Sequence, residues 1–355
     1  MKSRISSDFW RGKRVFITGH TGFKGSWLSL WLQSMGAKVT GFSLTPPTSP
    51  SLFLEANIAD GMVSVIGDIR DFDALNKALI NCQPEILIHM AAQPLVRESY
   101  RDPVSTYATN VMGTVHVFEA ARKCSSLRAI VNVTTDKCYE NREWVWGYRE
   151  NEPMGGHDPY SNSKGCSELV TAAFRNSYFG DVGTAAVASA RAGNVIGGGD
   201  WAAERLVPDA LLAFEQGRPV VIRNPTATRP WQHVLEPLSG YLILAEHLHT
   251  HGEAFAQAWN FGPRDEDVLS VESVLSLLVS GWGDGATWTL EKEAQLHEAT
   301  LLKLDISKAI SQLGWHPVWS VSQAVSHILE WHQCWLSGGD VKVKMLEQIQ
   351  RYESN

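Results

Sequence analysis

Residues 14–25 constrain the fold of this chain more than any other stretch. Arg14-Val15-Phe16-Ile17-Thr18 is a short apolar run that breaks into Gly19-His20-Thr21-Gly22-Phe23-Lys24-Gly25. A helical pattern then carries Trp27, Leu28, Leu30, Trp31 and Leu32 to Met35, with Gly36 placed to end it. A strand that closes in glycines and opens a helix lets backbone N–H groups approach a pyrophosphate at the helix N-terminus. The spacing is G-x-x-G-x-x-G, not the commoner G-x-G-x-x-G, and alone it leaves open a tight turn in a nucleotide-free α/β protein.

The rest of the first half continues the alternation. Residues 38–43, 62–66 and 86–90 read as strands, with a loop rich in Pro and Ser (Pro46, Pro47, Pro50) after the second and a helix over about 71–81 after the third. A long helix through Asn110, Gly113 and Phe118 reaches Lys123, and Ala129–Val133 is another apolar strand. Strands alternating with helices predict an α/β fold, a doubly wound parallel sheet with right-handed crossovers. A length of 355 residues suits two lobes, the second a smaller mixed α/β unit.

Chemistry concentrates after that apolar strand. Val133 runs into Thr134-Thr135-Asp136-Lys137, and order returns at Tyr160-Ser161-Asn162-Ser163-Lys164. Tyr160 and Lys164 are four apart and share one helix face. A phenol beside a fixed ammonium is expected to have a lowered pKa, which suits a base. Past residue 184 a strand ends in Arg191 and Asn194, and Arg205, Arg223 and Arg229 follow. Arginine suits phosphate because its planar fork donates two bonds at once, although a surface ion pair is the plainer use for Arg205 and Arg223.

Composition narrows the function classes. A net charge of -7 argues against a nucleic-acid surface. No apolar run reaches membrane-spanning length, and Met1-Lys2-Ser3-Arg4 lacks the apolar core of a signal peptide. The cysteines (Cys82, Cys124, Cys138, Cys166, Cys334) have no metal spacing, so reduced thiols in a cytoplasmic protein are expected. His247, His249 and His251 invite a metal reading, but they sit near a helix end and are better taken as a solvated terminus, so no metal is expected.

Taken together, Gly19/Gly22/Gly25, Asp68, Ala91-Ala92, Asn110 with Gly113, Thr135-Asp136, and Tyr160 with Lys164 resemble the extended short-chain dehydrogenase/reductase superfamily. Within it the chain looks like the nucleotide-sugar 4,6-dehydratases, and the likeness extends to Arg191-Ala192-Gly193-Asn194, Arg229-Pro230-Trp231, Asn260-Phe261-Gly262 and Leu313-Gly314-Trp315. It implies a dinucleotide-binding Rossmann domain from residues 1–190 with 230–262, and a nucleotide-sugar domain from 191–229 with 263–355. It also implies an NAD site of Gly19, Thr21, Gly22, Phe23, Lys24, Gly25, Asp68, Ile69, Ala91, Ala92, Gln93, Asn110, Thr134, Tyr160, Lys164 and Arg191. Phe42-Ser43-Leu44 after the second strand offers neither an acid for the NAD ribose nor an arginine for a 2′-phosphate, so NADP stays open. Asp68 is equally open to use as an acidic helix cap.

The same resemblance assigns roles. Tyr160 takes the C4 hydroxyl proton while C4 passes hydride to the nicotinamide. Lys164 lowers the phenol pKa and holds the ribose, and Thr135 bonds the C4 oxygen. Asp136, if protonated, gives its proton to the departing C6 hydroxyl, and Lys137 is either the C5 base or an electrostatic clamp. Asn194 and Arg229 meet the substrate pyrophosphate, Leu206, Val207, Ile222 and Arg223 face its base, and Gln93, Arg205, Asn260 and His297 complete the substrate set. Thr135-Asp136-Lys137, the Gly19–Gly25 loop and Ser43-Leu44-Thr45 are similar to members that act on CDP-glucose, and the cytosine preference is inherited from that likeness alone. A dTDP- or GDP-sugar dehydratase, a nucleotide-sugar 4-epimerase and a non-catalytic NAD-binding regulatory protein are the alternatives. Epimerases need no acid/base pair at C5 and C6, and regulatory relatives usually lose one of Thr135, Tyr160 and Lys164. Family members commonly pair through two helices. Here these are 104–123 and 160–178, giving a homodimer with Val111, Val115, Phe118, Leu169 and Phe174 at the four-helix interface.

Overall fold

A computed structural model describes residues 5–181, 183–291 and 301–355. Its first six strands are β1 (Arg14–Thr18), β2 (Lys38–Ser43), β3 (Val63–Ile66), β4 (Ile86–His89), β5 (Ala129–Val133) and β6 (Ala186–Ala192). Six more follow: β7 (Asn194–Ile196), β8 (Val220–Ile222), β9 (Thr228–His233), β10 (Ala258–Phe261), β11 (Val268–Ser270) and β12 (Trp288–Leu290). Seven of them form one parallel sheet in the order β10-β6-β5-β4-β1-β2-β3. Every residue of β4, β5 and β6 is buried, as strands covered by helices on both faces must be. The strand order switches direction between β1 and β4, and that switch opens the crevice where doubly wound sheets bind ligands.

Tryptophan builds much of the core on one face of this sheet. Trp27 and Trp31 of the Phe23–Ser34 helix pack with Trp259, Trp315 and Trp331, all essentially without solvent contact. Burial of such large side chains stabilises by roughly 1.5–3 kcal/mol or more each before entropy is counted. Val341–Glu353 is a helix capped by Asp340, and it buries Val341, Met345, Ile349 and Tyr352. Trp31 Nε1 donates to Glu353 at 2.7 Å, so this last helix, which the sequence division placed with the second lobe, packs on the first. Its apolar positions are spaced for one face, which the surrounding charges obscure in the sequence.

The second lobe has two small sheets, β11-β9-β7 and β12-β8. Its own core includes Ile196, Val207, Leu211, Ile222, Leu278 and Ile328.

The helix expected over 104–123 runs from Pro103 to Ala121 with a π-turn over Ala108–Met112, preceded by a separate piece, Val96–Arg101. Pro103 has no N–H to continue the first piece, and Asp102 caps the next by accepting from Ser105 N at 2.9 Å. Phe118 is fully buried against Phe174 with ring centroids 5.4 Å apart, so it belongs to the monomer's core and not to a pairing face. Among the described residues no helix is long and apolar enough to cross a membrane.

Candidate active site

The glycine loop is built by close approach. A Cβ on Gly25 would stand 2.1 Å from the Gly19 carbonyl oxygen, and one on Gly19, at φ +82°, would stand 2.8 Å from Ala91 N. The loop is thereby pressed between the first helix and the end of β4. Thr18 Oγ1 completes the junction by accepting from Met90 N (3.1 Å) and Ala91 N (3.2 Å). Gly22 is the N-cap of the Phe23–Ser34 helix and brings no side chain to its first N–H groups. An uncapped helix start between backbone too close for any Cβ fits a pyrophosphate.

Opposite this loop, β5 delivers the reactive residues. Thr135 Oγ1 caps the one-turn helix Asp136–Cys138, accepting from Lys137 N at 3.3 Å and donating to Asp136 Oδ1 at 2.8 Å. Asp136 is buried, and its other carboxyl oxygen has no hydrogen-bond partner. Burial raises its pKa above the usual carboxylate range, against the pull of Lys137, Thr135 and Arg229. A buried carboxyl whose pKa is raised and whose second oxygen has no partner is placed to act as an acid toward a group entering the crevice.

The Pro159–Tyr178 helix brings in Tyr160 and Lys164. Asp158 caps it, Pro159 fills its first position, and Ser99 Oγ accepts from Tyr160 N at 3.1 Å. Gly156 (φ +124°) and Gly165 allow the preceding loop to lie directly on this helix, since a Cβ would meet Asn162 N at 2.3 Å and Gly155 O at 2.7 Å respectively. The Tyr160 phenol lies beside Thr135. Its pKa is not lowered as the sequence suggested but pushed up to about 12, by burial first and then by Asp136, with Thr135 and Arg205 opposing. Lys164 points elsewhere: its Nζ donates to the Val133 carbonyl at 3.4 Å. Burial brings Lys164 down to about 8, with Glu168 and Cys138 pushing it back up.

Lys24 joins this cluster from the glycine loop. It is half-buried, lies 6.0 Å from the Tyr241 ring centroid, and is brought down to about 7 by burial and then by the neighbouring charges of Lys164 and Arg205. Arg205 itself donates to Asp200 at 2.8 Å and faces Tyr160 electrostatically. Arg229 is buried and acts on Asp136. The crevice therefore gathers Thr135, Asp136, Lys137, Tyr160, Lys164, Lys24, Arg205 and Arg229.

Other expected residues are spent inside the protein. Arg191 donates to Glu168 (3.0 and 2.9 Å), to the Tyr139 hydroxyl (2.6 Å) and to the Glu150 carbonyl (3.0 Å), a buried ion pair and not a cofactor contact. Asn260 is fully buried, accepting from Tyr139 Oη (2.7 Å) and donating to the Tyr148 and Asp305 carbonyls, so it ties loops together and does not face a substrate. Thr134 Oγ1 donates to Glu168, and Thr21 Oγ1 donates to Leu44 O. Asn110 bonds Gln93 N, Gln93 O and Ser163 Oγ, while the Gln93 side chain folds back on Leu95 and Thr106. These two fix the loop after β4, where Ala91 and Ala92 stay half-buried at the crevice edge. Asp68 pairs with Arg70, and the cap of the next helix is Asp71. Ile69, Val207 and Ile222 lie in cores, Asn194, Leu206 and Arg223 are half-buried, and His297 lies outside the described residues. His247 and His251 stack near Phe255 while His249 turns to Phe9, so the three histidines do not converge.

Sequence reasoning missed Ser99, Glu168 and Asn132. Asn132 donates from β5 to Ser167 and Thr171 (3.1 and 2.7 Å) and so fixes the depth of the helix bearing Tyr160. The available signal was polar residues at four-residue spacing (Lys164, Glu168; Ser167, Thr171) on a helix that must lie against a buried strand.

A family model described as GDP-mannose 4,6 dehydratase matches residues 16–328. The chain is 57% identical over 354 residues to the CDP-glucose 4,6-dehydratase of Salmonella typhimurium (strain LT2), covering 99% of both proteins. It is 24% identical to a dTDP-glucose 4,6-dehydratase of Xanthomonas campestris pv. campestris, over 91% of this chain and 94% of that one. Among solved structures, a dTDP-glucose 4,6-dehydratase from Streptomyces venezuelae with NAD and TYD bound superposes with a TM-score of 0.79 at 22% identity, over 92% of this chain and 99% of that one. A UDP-glucose 4-epimerase from Thermotoga maritima reaches the same TM-score of 0.79 at 21% identity, over 91% and 99%. The structural likenesses establish the dehydratase/epimerase fold.

Proposed function

Because the chain belongs to the GDP-mannose 4,6 dehydratase family, we propose that it removes water from CDP-D-glucose to give CDP-4-keto-6-deoxy-D-glucose. The observation that carries the reaction type is Asp136, a buried carboxyl with a raised pKa and one oxygen without a partner, in the same cluster as Thr135 and Tyr160. The choice of sugar nucleotide rests on the Salmonella relative.

In this reading Thr135 orients the C4 oxygen and Tyr160 takes its proton. Once C4 is a ketone the C5 proton becomes acidic, and Asp136 protonates the departing C6 hydroxyl. Lys164 as ammonium anchors the ribose beside the phenol. NAD, when bound, supplies the oxidant for C4, the reductant for C6 and a positive ring that favours the phenolate. Gly19, Gly22 and Gly25 would hold its pyrophosphate, and the NAD bound in the similar Streptomyces venezuelae structure supports NAD as the cofactor. Arg229 and Arg205 are the cations placed for the substrate diphosphate. Lys137 stands nearest in sequence to the acid and takes the C5 base position. Exchange of C5 deuterium surviving in Lys137→Met would make it a clamp instead.

We divide the chain into a dinucleotide-binding lobe of residues 1–190 with 230–262 and a nucleotide-sugar lobe of 191–229 with 263–355, the last helix packing on the first lobe. We assign the protein to the cytoplasm, and to a homodimer through the apolar face left by Val104, Met112 and Leu169, which are 78%, 50% and 60% exposed. The test of the reaction is mass spectrometry of CDP-glucose incubated with protein and NAD. Loss of one water without net NADH, abolished in Tyr160→Phe, is expected. Inversion at C4 without loss of mass would put a 4-epimerase in its place.

A further inference from the structure

We propose that the buried Glu168–Arg191 ion pair is a brace that positions the turn carrying Thr135, Asp136 and Lys137 against the helix carrying Tyr160 and Lys164. The inference rests on the dehydratase reading above. Glu168 lies one helical turn beyond Lys164, and its carboxylate is fully engaged. Oε1 accepts from Thr134 Oγ1 and from Arg191 Nε (3.0 Å), and Oε2 accepts from Ser189 Oγ (2.6 Å) and Arg191 Nη2 (2.9 Å). Arg191 in turn donates from Nη1 to the Tyr139 hydroxyl at 2.6 Å, and its guanidinium lies 4.8 Å from the Tyr139 ring centroid. Tyr139 Oη passes a hydrogen bond on to Asn260 on β10 at 2.7 Å.

The catalytic turn is thus gripped at both ends by one ion pair. Glu168 holds Thr134, immediately before Thr135, and Arg191 holds Tyr139, immediately after Cys138. The pair is 5% and 3% exposed. Removing two charges from water is costly, and a well-packed apolar substitute for such a pair is often neutral or stabilising. Stability alone therefore does not account for it, whereas geometry does. A bidentate fork fixes both angle and distance between β6 and the helix, and the two hydroxyls transmit that position to the turn. Glu168, Arg191, Thr134 and Tyr139 are positioning residues, since in this structure their polar atoms are spent on one another.

The test uses two hydroxyl deletions that leave the ion pair in place, Tyr139→Phe and Thr134→Val, together with Glu168→Gln. In the first two, kcat for water loss from CDP-glucose is expected to fall on the order of 10- to 100-fold with KM nearly unchanged, as small misplacements of reacting groups do. Amide hydrogen exchange should quicken in the peptide spanning 134–139 and nowhere else, with the urea midpoint unmoved. Glu168→Gln should show both effects more strongly and also lower the urea midpoint, because it leaves Arg191 buried without its counter-charge. Unchanged kcat in both hydroxyl variants would overturn the brace. So would exchange that rises throughout the chain as the urea midpoint falls in the two hydroxyl variants, because that is a scaffold contribution only. Hydrogen exchange needs no substrate. If the unaltered protein converts no nucleotide sugar, the proposed function fails while the exchange comparison still decides whether the pair holds the turn.

Discussion

Replacing Gly25 with alanine places a methyl carbon 2.1 Å from the Gly19 carbonyl oxygen and 2.7 Å from His20 Cα. Both neighbours are backbone, so no side chain can swing away. Ordinary contact begins near 3.4 Å, so the loop and helix must part by about 1.3 Å (3.4 less 2.1). Overpacking of this kind costs about 1–3 kcal/mol of stability. A displacement near 1 Å in groups that grip a ligand costs on the order of 100-fold, or about 2.7 kcal/mol of binding. Gly22 is the control. A Cβ there meets only the Gly19 oxygen at an ordinary 3.5 Å, and its φ of -79° suits any residue. Gly22→Ala should keep the unfolding midpoint, because its methyl meets only ordinary contact. Calorimetric titration with NAD and thermal unfolding of the same samples measure both quantities. Gly25→Ala binding NAD as the unaltered protein does would refute the cradle.

Three further outcomes follow from the buried ionisable groups. Asp136→Asn keeps the shape of the acid without its proton, so turnover should drop by roughly 10²–10⁴-fold while the thermal midpoint holds or rises; a small loss of turnover would remove Asp136 as the acid. Lys164, brought down to about 8 by burial with Glu168 and Cys138 opposing, is an ammonium only below that pH. Turnover should therefore fall above about pH 8, and Lys164→Arg should lose that alkaline limb along with some activity. Glu236 is buried and pushed up to about 7, although Trp319 N, Tyr352 Oη and Val318 N donate to it. A raised folded pKa means stabilisation is full below the unfolded value of 4.5 and is lost as pH rises through about 7. That change amounts to about 3 kcal/mol between pH 4.5 and pH 8. Glu236→Gln should remove this part of the slope in urea unfolding, and parallel slopes would contradict it.

The sheet was legible because its strands are apolar runs whose ends are marked by glycine or polar residues. β1, β2 and β5 fall where the run lengths put them, and the crevice follows from their alternation with helices. The helix over 104–123 was legible from its apolar spacing, while the short separate helix Val96–Arg101 before Asp102-Pro103 was not. The last helix was hidden because Lys342, Lys344, Glu347 and Arg351 interrupt an apolar face that only tertiary contact reveals. In the site, Thr135, Asp136, Tyr160 and Lys164 come together as their spacing suggested, since a strand end and a facing helix turn leave them little freedom. Arg191 and Asn260 misled because a polar residue after a buried strand looks the same in sequence whether it serves a ligand or another side chain. The direction of the Tyr160 shift was missed for a related reason. A neighbour in helical spacing was credited with its charge, but burial and Asp136 dominate when the ammonium turns to a backbone carbonyl.

The measurement that bears most directly on the function is a competition. Equal amounts of CDP-glucose and dTDP-glucose are incubated with the protein and NAD, and the products are followed by mass. The proposed function predicts loss of one water from the CDP sugar, with no net NADH and the dTDP sugar intact. Water lost from the dTDP sugar instead would contradict the substrate assignment, and no mass change in either would contradict the dehydration itself.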